Sequence, residues 1–405
     1  MPKLSIRDID LANKRVFIRV DFNVPLTEDG ASITDDTRIV ATLPTIVYAL
    51  KHKAKVILAS HLGRPKGKPN PKYSLRPVVD RLRELLDKAL GEKVNVAFAP
   101  DCIGEIASEM ARQLESGQVL LLENLRFHAE EEANDPAFSK ALASLAEVYV
   151  NDAFGTAHRA HASTEGVTKY LKPCAAGFLM MKEIKYLGGA VSNPGRPFVA
   201  IIGGAKISGK IDVISNLMNL ADTVIVGGGM AYTFFKSEGY EVGKSLLEAD
   251  KVDLARETLA KSKAIKKPLL LPIDNVIAQD LKEGVPTKVV ASNQIPADWE
   301  GLDVGPETLK KYREVISKAK TLFWNGPVGA FEVKPFDKGT KEVAMMMAEA
   351  TGRGADTIVG GGDSVAAVTQ MGLSDKMSHV STGGGASLEF MEGKILPGIA
   401  ALTDK

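Results

Sequence analysis

The stretch FVAIIGGAK, residues 198–206, indicates most directly how this chain folds. Its five leading apolar residues do not alternate with polar ones, which is typical of a β-strand covered on both faces, as in a parallel sheet. Two glycines and a lysine follow at once, and residues 211–220 then have the spacing of an amphipathic helix. A strand that enters a helix through a glycine-rich turn predicts one unit of an α/β fold.

The same alternation recurs along the whole chain. Short runs rich in Val, Ile and Leu predict strands at 16–20, 56–59, 94–97, 119–122, 148–150, 198–202, 223–226, 269–271, 321–324, 357–359 and 379–381. The segments between them, such as 77–90 and 137–146, have helical spacing. We therefore predict an α/β protein made of two Rossmann-like, three-layer αβα domains with parallel sheets, joined by a helical hinge.

Length and turn residues predict where the domains divide. A chain of 405 residues is too long for one ordinary core, so two domains are expected. The stretch SNPGRP, residues 192–197, is rich in turn formers and precedes the glycine-bearing strand, whereas residues 178–187 have helical spacing. We expect an N-terminal domain at 1–177, a connecting helix and hinge at 178–197 and a C-terminal domain at 198–391.

Composition narrows the class of protein. The formal net charge is +1, so no global field attracts nucleic acid or a membrane surface. The two cysteines, Cys102 and Cys174, lie far apart, which argues against a disulfide framework and favours a reducing cytoplasm. The first eight residues are charged and lack the apolar core of a signal peptide, and no apolar run is long enough to span a bilayer.

The turns of the first half carry Arg, His and Asp. They are RVDFN at 19–23, SHLGR at 60–64, ENLR at 123–126 and HRAH at 158–161, and their charged residues lie in or near the ends of predicted strands. Ligands of open parallel sheets bind beyond the carboxyl ends of the strands, and guanidinium groups bind phosphate or carboxylate in bidentate fashion. A single arginine often pairs with an acidic neighbour instead, so the prediction of a small-anion site depends on their convergence. No cysteine or third histidine lies near the HRAH segment, which favours an anion role over zinc there.

The turns of the second half are rich in glycine instead. They are GGAK at 203–206, GGG at 227–229, NGP at 325–327, GGGDS at 360–364 and TGGG at 382–385. Glycine lets a phosphate approach the backbone, and Lys206 and Lys210 would share one helix face beside it. The GGGDS turn adds a carboxylate for Mg²⁺ and a hydroxyl at a helix start. Each turn is equally well explained by close packing of a helix on a sheet.

Several common nucleotide and catalytic signatures are missing. Residues 243–245 resemble the end of a Walker A loop, but position 238 is Glu where that loop requires Gly. The GGAK turn lacks the G-x-G-x-x-G spacing of a dinucleotide-binding turn, and the HRD and DFG elements of protein kinases do not occur. No Ser-His-Asp or Cys-His set suggests a covalent nucleophile.

Taken together, the motifs resemble those of the phosphoglycerate kinase family. The strings are RVDFNVP, SHLGRP, LLENLRFH, NDAFGTAHRAH, GGAKISGK, IVGGGMA, FWNGPVGAFE, GGGDS and SHVSTGGGASLE, which agree with that family in order, spacing and identity over essentially the whole chain. The resemblance implies a monomeric, cytoplasmic two-domain hinge enzyme of glycolysis and gluconeogenesis. It would interconvert 1,3-bisphosphoglycerate plus ADP with 3-phosphoglycerate plus ATP, using Mg²⁺. It also implies that residues 392–405 return to the N-terminal domain.

The resemblance implies roles for particular residues, carried over motif by motif. The phosphoglycerate site would comprise Asp21, Phe22, Asn23, Arg38, His61, Leu62, Gly63, Arg64, Arg126 and Arg159. The nucleotide site would comprise Lys206, Lys210, Gly229, Leu302, Glu332, Gly361, Gly362, Asp363 and Ser364, with Asp363 at the metal. The transferred phosphoryl group would be stabilised by Arg38, Lys206, Gly362 and Gly385. Many relatives have Thr at the position of Ser364, and Ser364 retains the hydroxyl group.

Phosphoryl transfer needs positioning and charge stabilisation more than a covalent nucleophile, which suits this set of residues. We expect direct in-line transfer after hinge closure, with Arg38 and Lys206 neutralising the equatorial oxygens. An NAD-dependent dehydrogenase is the alternative, since it too would be doubly wound, but the missing dinucleotide spacing opposes it. A non-enzymatic anion-binding or nucleic-acid-binding protein is disfavoured by the near-neutral charge and the lack of an interleaved aromatic stripe.

Overall fold

The computed structural model describes residues 2–405 and contains two compact units. The first, here the N-terminal unit, runs up to Glu183 and includes the end of the chain, Ile395–Lys405. The second, here the C-terminal unit, is the continuous segment Ile184–Lys394. The chain thus leaves the N-terminal unit once and returns to it for its last residues.

A six-stranded parallel sheet forms the centre of the N-terminal unit. Its strands are β1 (Arg15–Arg19), β2 (Lys55–Ala59), β3 (Val96–Ala99), β4 (Val119–Leu122), β5 (Val148–Asn151) and β6 (Cys174–Ala176). Their order in the sheet is β3-β4-β2-β1-β5-β6. Every residue of β4 and β5 is buried, so both faces of the sheet are covered. This explains why these strands are continuously apolar in the sequence.

Helices lie between these strands. They are α1 (Thr37–Lys51), α2 (Val78–Leu90), α3 (Gly104–Gln113), α4 (Ala129–Glu132) and α5 (Pro136–Ala143). Helix α6 (Phe178–Ser192) follows β6 and leads to the C-terminal unit, and the terminal helix is α14 (Pro397–Ala400). The division between the units falls inside α6. The chain end is held by backbone bonds, in which Gly398 N–H donates to the Ala157 carbonyl at 2.8 Å and Thr403 N–H to the Cys174 carbonyl at 3.0 Å.

The C-terminal unit has its own six-stranded parallel sheet. The strands are β7 (Phe198–Ile202), β8 (Thr223–Val226), β9 (Leu269–Leu270), β13 (Thr321–Asn325), β14 (Asp356–Gly360) and β15 (His379–Val380), in the order β15-β14-β13-β7-β8-β9. A second, antiparallel sheet has the order β11-β10-β12 and consists of β10 (Asp274–Ala278), β11 (Lys288–Ala291) and β12 (Glu300–Val304).

Seven helices belong entirely to this unit. They are α7 (Ile211–Leu220), α8 (Ala231–Ser237), α9 (Val252–Ala264), α10 (Pro306–Ile316), α11 (Lys338–Gly352), α12 (Gly362–Gln370) and α13 (Gly385–Met391). The amphipathic pattern of α7 places Val213, Ile214, Leu217 and Met218 in the core. This is the apolar face that the sequence predicts for residues 211–220.

The prediction of an α/β fold with two parallel sheets is confirmed, and two features were missed. The predicted strand at 94–97 lies two residues later, at Val96–Ala99. Strand β6 and the antiparallel sheet were not predicted. β10 and β12 contain Asp, Asn or Glu within their apolar runs, and two residues of β11 are exposed, so none of the three has the pattern of a strand buried on both faces.

The register of the parallel strands places several loop segments side by side. In the N-terminal unit, Arg19 at the end of β1 is paired with Ala59 of β2 and Asn151 of β5. In the C-terminal unit, Asn325 at the end of β13 is paired with Ile202 of β7 and Gly360 of β14. The motif-bearing turns therefore emerge together at the carboxyl edge of each sheet.

Candidate functional site

The turn after β1 is tied to the turn after β2 by side chains. The Asp21 carboxylate accepts a 2.6 Å hydrogen bond from Arg38 Nη1, which reaches it from the first turn of α1. The Asn23 side-chain oxygen accepts from Gly63 N–H at 2.8 Å. Arg38 remains 39% exposed, so its guanidinium keeps contact with solvent. This arrangement aligns a carboxylate, an amide and a guanidinium at one edge of the sheet.

The two predicted substrate residues with apolar side chains, Phe22 and Leu62, are both buried. The Phe22 ring is fully buried in the core, and its N–H donates to Ser60 Oγ at 2.8 Å. Leu62 is 3% exposed, and its N–H donates to Asn124 Oδ1 at 3.1 Å. These two residues support the turns from within rather than presenting side chains to a ligand.

The predicted arginines differ in exposure. Arg126 is 4% exposed, donates from Nη1 to the Gly63 carbonyl at 2.9 Å and lies 3.3 Å from Glu132 through Nε. Burial lowers the pKa of Arg126, and the nearby guanidinium of Arg159 acts in the same direction. Arg159 is half-buried and Arg64 is exposed. Electrostatic coupling to Arg126 places Arg159 in the same cluster. Among residues 2–405, no hydrogen bond or ion pair links the Arg64 side chain to it.

His61 lies inside this basic cluster. It is 5% exposed, and its pKa is held well below the ordinary histidine value by burial first and then by Arg19, Arg126 and Arg38. The pKa of His161 is lowered to about 4 for the same reasons, burial being the largest. Both rings are therefore neutral near pH 7. Near pH 7 the arginines therefore supply positive charge at this edge, whereas His61 and His161 do not.

The glycine turns of the C-terminal unit pack against one another. Gly204 N–H donates to the Pro327 carbonyl at 2.8 Å and Gly228 N–H to the Val328 carbonyl at 3.1 Å. A Cβ on Gly203 would lie 2.1 Å from the Pro327 carbonyl oxygen, so no larger residue fits there. The turns after β7, β8 and β13 are thus held together through bare backbone.

Two lysines stand at these turns with different surroundings. Lys206 is exposed. Lys210 points inward, and its Nζ donates to the Gly203 carbonyl at 2.6 Å and to Asn325 Oδ1 at 2.8 Å. Burial lowers the pKa of Lys210 to about 8, with the nearby Asp363 carboxylate opposing that shift. The Lys210 side chain therefore changes from an ammonium to an amine close to physiological pH.

Helix α12 begins at the carboxyl end of β14. Its capping residue, Gly361, has φ +86°, and a Cβ there would lie 2.7 Å from Asn325 Nδ2. A Cβ on Gly362 would meet no atom within 4 Å, so the helix start is open. Asp363 is exposed in the first turn, and Ser364 Oγ is buried and accepts from Gly326 N–H at 2.6 Å.

The remaining predicted residues of this unit lie in three different settings. Gly385 opens helix α13, and a Cβ there would meet nothing within 4 Å. Gly229 packs closely on Leu246 and on the Ala205 backbone. Leu302 is 9% exposed in β12, and Glu332 is exposed. Open backbone therefore occurs at Gly362 and Gly385, whereas Gly229 serves close packing.

Asn325 is the first residue of the NGP turn, and the sequence analysis gave its side chain no role at this edge. It is 2% exposed, and its Nδ2 has no hydrogen-bond partner although it is buried. A signal was present in the sequence, since Asn325 is the last residue of a strand that is otherwise largely apolar. Buried amide donors are normally satisfied, so this one is available to a ligand atom at the start of α12.

The residues at α12 fit a magnesium ion that is brought by a nucleotide. Asp363 offers one exposed carboxylate, and Mg²⁺ commonly binds one or two carboxylates together with substrate phosphates.

Within residues 2–405, one group of three could hold a metal unaided, namely Asp101, Cys102 and His128 in the N-terminal unit. There His128 Nε2 lies 2.7 Å from Asp101 Oδ1, and the Cys102 side chain is fully buried.

Comparison with known proteins identifies the family. A family model described as phosphoglycerate kinase matches residues 6–394. The chain belongs to the phosphoglycerate kinase family. The phosphoglycerate kinase of Acidobacterium capsulatum is 63% identical to it over 406 residues, covering 100% of both chains. The cytosolic phosphoglycerate kinase of Triticum aestivum is 57% identical over 402 residues, covering 99% of this chain and 98% of that one.

Solved structures agree with this assignment. The phosphoglycerate kinase of Coxiella burnetii has a TM-score of 0.89 and 43% identity, covering 99% of this chain and 98% of that chain. The enzyme of Pyrococcus horikoshii has a TM-score of 0.83 and 34% identity, covering 98% of each.

The chain is therefore an enzyme of the phosphoglycerate kinase type, EC 2.7.2.3, a phosphotransferase with a carboxyl group as acceptor. Its reaction interconverts 1,3-bisphosphoglycerate plus ADP with 3-phosphoglycerate plus ATP, a step of glycolysis and gluconeogenesis, and the family uses Mg²⁺. The alternative of an NAD-dependent dehydrogenase finds no support in these comparisons. Within the described residues, no helix has both the length and the apolarity needed to cross a bilayer.

Proposed function

We propose that the two substrates of this reaction are divided between the two sheet edges. The N-terminal unit binds 3-phosphoglycerate or 1,3-bisphosphoglycerate at the carboxyl edge of β1, β2, β4 and β5. The C-terminal unit binds ADP or ATP at the carboxyl edge of β7, β13 and β14. The observation that carries this division is a contrast in chemistry: guanidinium and imidazole groups gather at the first edge, whereas glycines with open space above them begin helices at the second.

At the first edge, Arg38, Arg126, Arg159 and Arg64 neutralise the phosphate and carboxylate of the triose acid. Bidentate guanidinium pairs hold such groups in a fixed orientation as well as by charge. The Asp21 carboxylate, which holds Arg38 at 2.6 Å, and the Asn23 amide orient the substrate hydroxyl. His61 contributes a neutral donor among the cations, and Gly63 and the supporting Phe22 and Leu62 shape the turns.

At the second edge, the backbone N–H groups that begin α12 bind the nucleotide phosphates, as helix N-termini do for anions. Lys206, Lys210 and Ser364 complete the phosphate contacts, and Gly229, Leu302 and Glu332 bind the nucleoside. Asp363 would hold Mg²⁺ together with the nucleotide phosphates. When bound, the ion supplies positive charge that offsets the phosphate oxygens.

The transfer in this proposal is direct and in line. The acceptor is an ionised carboxylate in one direction and a nucleotide phosphate in the other. Neither acceptor needs a strong general base. Arg38, Lys206 and the backbone N–H groups of Gly362 and Gly385 stabilise the charge on the moving phosphoryl group. Closure about a hinge at 178–197 brings the substrates together and excludes water.

The setting of the enzyme, a monomer in the cytoplasm, is part of the same proposal. Both cysteines are buried and free, which suits a reducing compartment, and the wheat relative is named as cytosolic. A net charge of +1 gives no general attraction for nucleic acid or a membrane surface, so small molecules are its partners. Sedimentation velocity at several protein concentrations measures the oligomeric state, and a concentration-independent dimer would contradict the proposed monomer.

Calorimetry on single variants tests the division of substrates. Arg159→Ala should weaken 3-phosphoglycerate binding by roughly 10- to 100-fold and leave ADP binding unchanged, because bonds to charged groups contribute about 1.5–3 kcal/mol. Asp363→Ala should weaken Mg·ADP binding by a similar factor and leave 3-phosphoglycerate binding unchanged. A variant that weakened both substrates equally would contradict the division.

Small-angle scattering tests closure. The radius of gyration should decrease when 3-phosphoglycerate and a non-hydrolysable ATP analogue are added together, and less when either is added alone. An unchanged radius with both ligands bound at saturation, as verified by calorimetry, would rule out a large hinge movement.

A further inference from the structure

A buried series of hydrogen-bonded side chains connects α4 to His61 in the N-terminal unit. Glu131 accepts from Ser163 twice, from the hydroxyl at 2.6 Å and from the backbone N–H at 2.9 Å. The Ser163 hydroxyl accepts from Arg19 Nε at 2.8 Å, and Arg19 Nη2 lies 3.2 Å from His61 Nδ1. Arg19 also donates from Nη1 to the Val20 carbonyl.

The donors and acceptors that each of these side chains carries fix the direction of the hydrogen bonds between them. A guanidinium group has five donors and no acceptor, so His61 Nδ1 must accept from Arg19 and cannot carry a proton. An ionised carboxylate only accepts, so the Ser163 hydroxyl must donate to Glu131, which leaves its lone pair for Arg19. The single proton of a neutral His61 ring is then on Nε2.

The groups that face His61 come from several elements and all oppose its protonation. Arg19 ends β1, Arg38 lies on α1, Arg126 follows β4 and His161 follows β5. Together with burial, which is the largest cause, they hold the pKa of His61 well below its ordinary value. The His61 ring is therefore neutral, and its hydrogen-bond partners determine which of its two nitrogens carries the proton.

Glu131 supplies the negative charge that this buried guanidinium requires. Arg19 is 1% exposed and Glu131 is fully buried. A buried cation without a compensating anion is strongly unfavourable. Burial raises the pKa of Glu131, while Arg19 and the Ser163 hydrogen bonds act against that increase. The guanidinium and the Ser163 hydrogen bonds thus favour the ionised form of the Glu131 carboxylate.

We propose that Glu131 and Ser163 are positioning residues of the phosphoglycerate site, which fix Arg19 and through it hold His61 as the Nε2–H tautomer. This inference rests on the proposed function, because it gives His61 the orientation in which a neutral imidazole donates to an anionic substrate. Neither residue belongs to the arginine-bearing turns that the sequence indicates. Glu131 lies in the acidic stretch that begins α4, where it looks like a surface residue.

Nitrogen-15 correlation spectra of the histidine rings test the tautomer on the unmodified chain. The His61 ring, assigned by its loss in His61→Gln, should show one unprotonated nitrogen, Nδ1, and one protonated nitrogen, Nε2, from about pH 6 to about pH 8, a range that includes the ordinary histidine pKa of about 6.5. A proton on Nδ1, or on both nitrogens, would overturn the proposal irrespective of any activity measurement.

Glu131→Gln tests the positioning role, with Glu130→Gln as its matched control. Glu130 lies in the same helix and is exposed, so the two variants remove the same charge from different settings. In Glu131→Gln the Nδ1 signal should shift toward the protonated value, and 3-phosphoglycerate should bind roughly 10- to 100-fold more weakly, with a smaller change in turnover at saturation. Glu130→Gln should leave both unchanged.

Two further measurements keep the test decisive. If Glu131→Gln does not fold, Ser163→Ala removes the hydroxyl link while leaving the Glu131 carboxylate in place. A folded variant of either kind with an unshifted His61 ring and normal 3-phosphoglycerate affinity would overturn the positioning role. Adding 3-phosphoglycerate to the unmodified chain should move the His61 signals. Unmoved signals would contradict the proposed substrate site, whereas normal movement with the wrong tautomer would contradict only this inference.

Discussion

We propose that the carboxyl edges of the two parallel sheets both bind anionic substrates, but with different chemical groups. At the first edge, the charge is on side chains, two of which are buried, namely Arg19 at 1% and Arg126 at 4% exposure. At the second, the proposed donors are backbone N–H groups at Gly362 and Gly385, where a Cβ added to either glycine would meet no atom within 4 Å. Each means imposes its own requirements on the surrounding structure.

Side-chain charge requires support from a buried polar network. Burying guanidinium groups disfavours their charged form, so Arg126 is accompanied by Glu132 and Arg19 by the Ser163–Glu131 link. Backbone donors carry no net charge and need no counter-ion. They require instead that nothing replaces the glycine hydrogen and that neighbouring turns approach closely. Acidic residues therefore matter at the first edge and small residues at the second.

The largest expected effect comes from removing one cation at each edge. Arg38→Ala and Lys206→Ala should each lower turnover by roughly 10²–10³ with the fold intact, because a donor to the transition state is lost. A coupled assay with 3-phosphoglycerate, ATP and Mg²⁺ measures the rate, and circular dichroism checks the fold. Turnover near that of the unmodified enzyme would remove the residue from the mechanism and leave the two edges unequal in catalysis.

Replacing glycines separates packing from ligand approach. Gly203→Ala should lower the free energy of unfolding by about 1–3 kcal/mol or more, since the new Cβ would lie 2.1 Å from the Pro327 carbonyl oxygen. Gly385→Ala should change it by less than about 0.5 kcal/mol yet reduce turnover, because its Cβ enters open space. Urea unfolding followed by fluorescence measures both. Equal stability of the two variants would contradict the distinction.

The pH dependence of nucleotide binding tests the buried lysine. The pKa of Lys210 is about 8 in the protein without ligand, so the ammonium that attracts phosphate is lost as pH rises through 8. ADP affinity should therefore fall by about tenfold between pH 7 and 9. Calorimetry checks this, and Lys210→Met should abolish the dependence while Lys206→Met retains it. A flat affinity profile in the unmodified enzyme would remove Lys210 from phosphate binding.

The smallest effect is expected at Glu132, whose side chain is 47% exposed and lies 3.3 Å from Arg126. Glu132→Gln should strengthen 3-phosphoglycerate binding, because Arg126 loses an anion that competes with the substrate. Exposed ion pairs contribute about 0–1 kcal/mol, so the gain is at most about fivefold. Weaker binding would indicate instead that Glu132 positions Arg126 for the substrate.

Much of the fold could be predicted because covered parallel strands leave a strong pattern. Residues 198–202, 223–226 and 119–122 were predicted at the observed bounds. The antiparallel sheet could not be predicted in this way, since β11 has exposed residues and β10 and β12 carry polar ones. The predicted site residues lie at the two carboxyl edges or in the turns beside them, except Leu302, which is in β12.

The sequence alone determines which residues occur at the strand ends. It shows which turns carry Arg and His, which carry glycine, and that Asp363 lies at a predicted helix start. Which of these groups are buried is settled only in the folded protein, because burial depends on residues distant in sequence. Ser163, which contacts Arg19, is 144 positions from it in the sequence, and Glu131, linked through Ser163, is 112 positions away, as differences of their residue numbers. That buried environment sets the state of His61, and a local pattern carries no information about it.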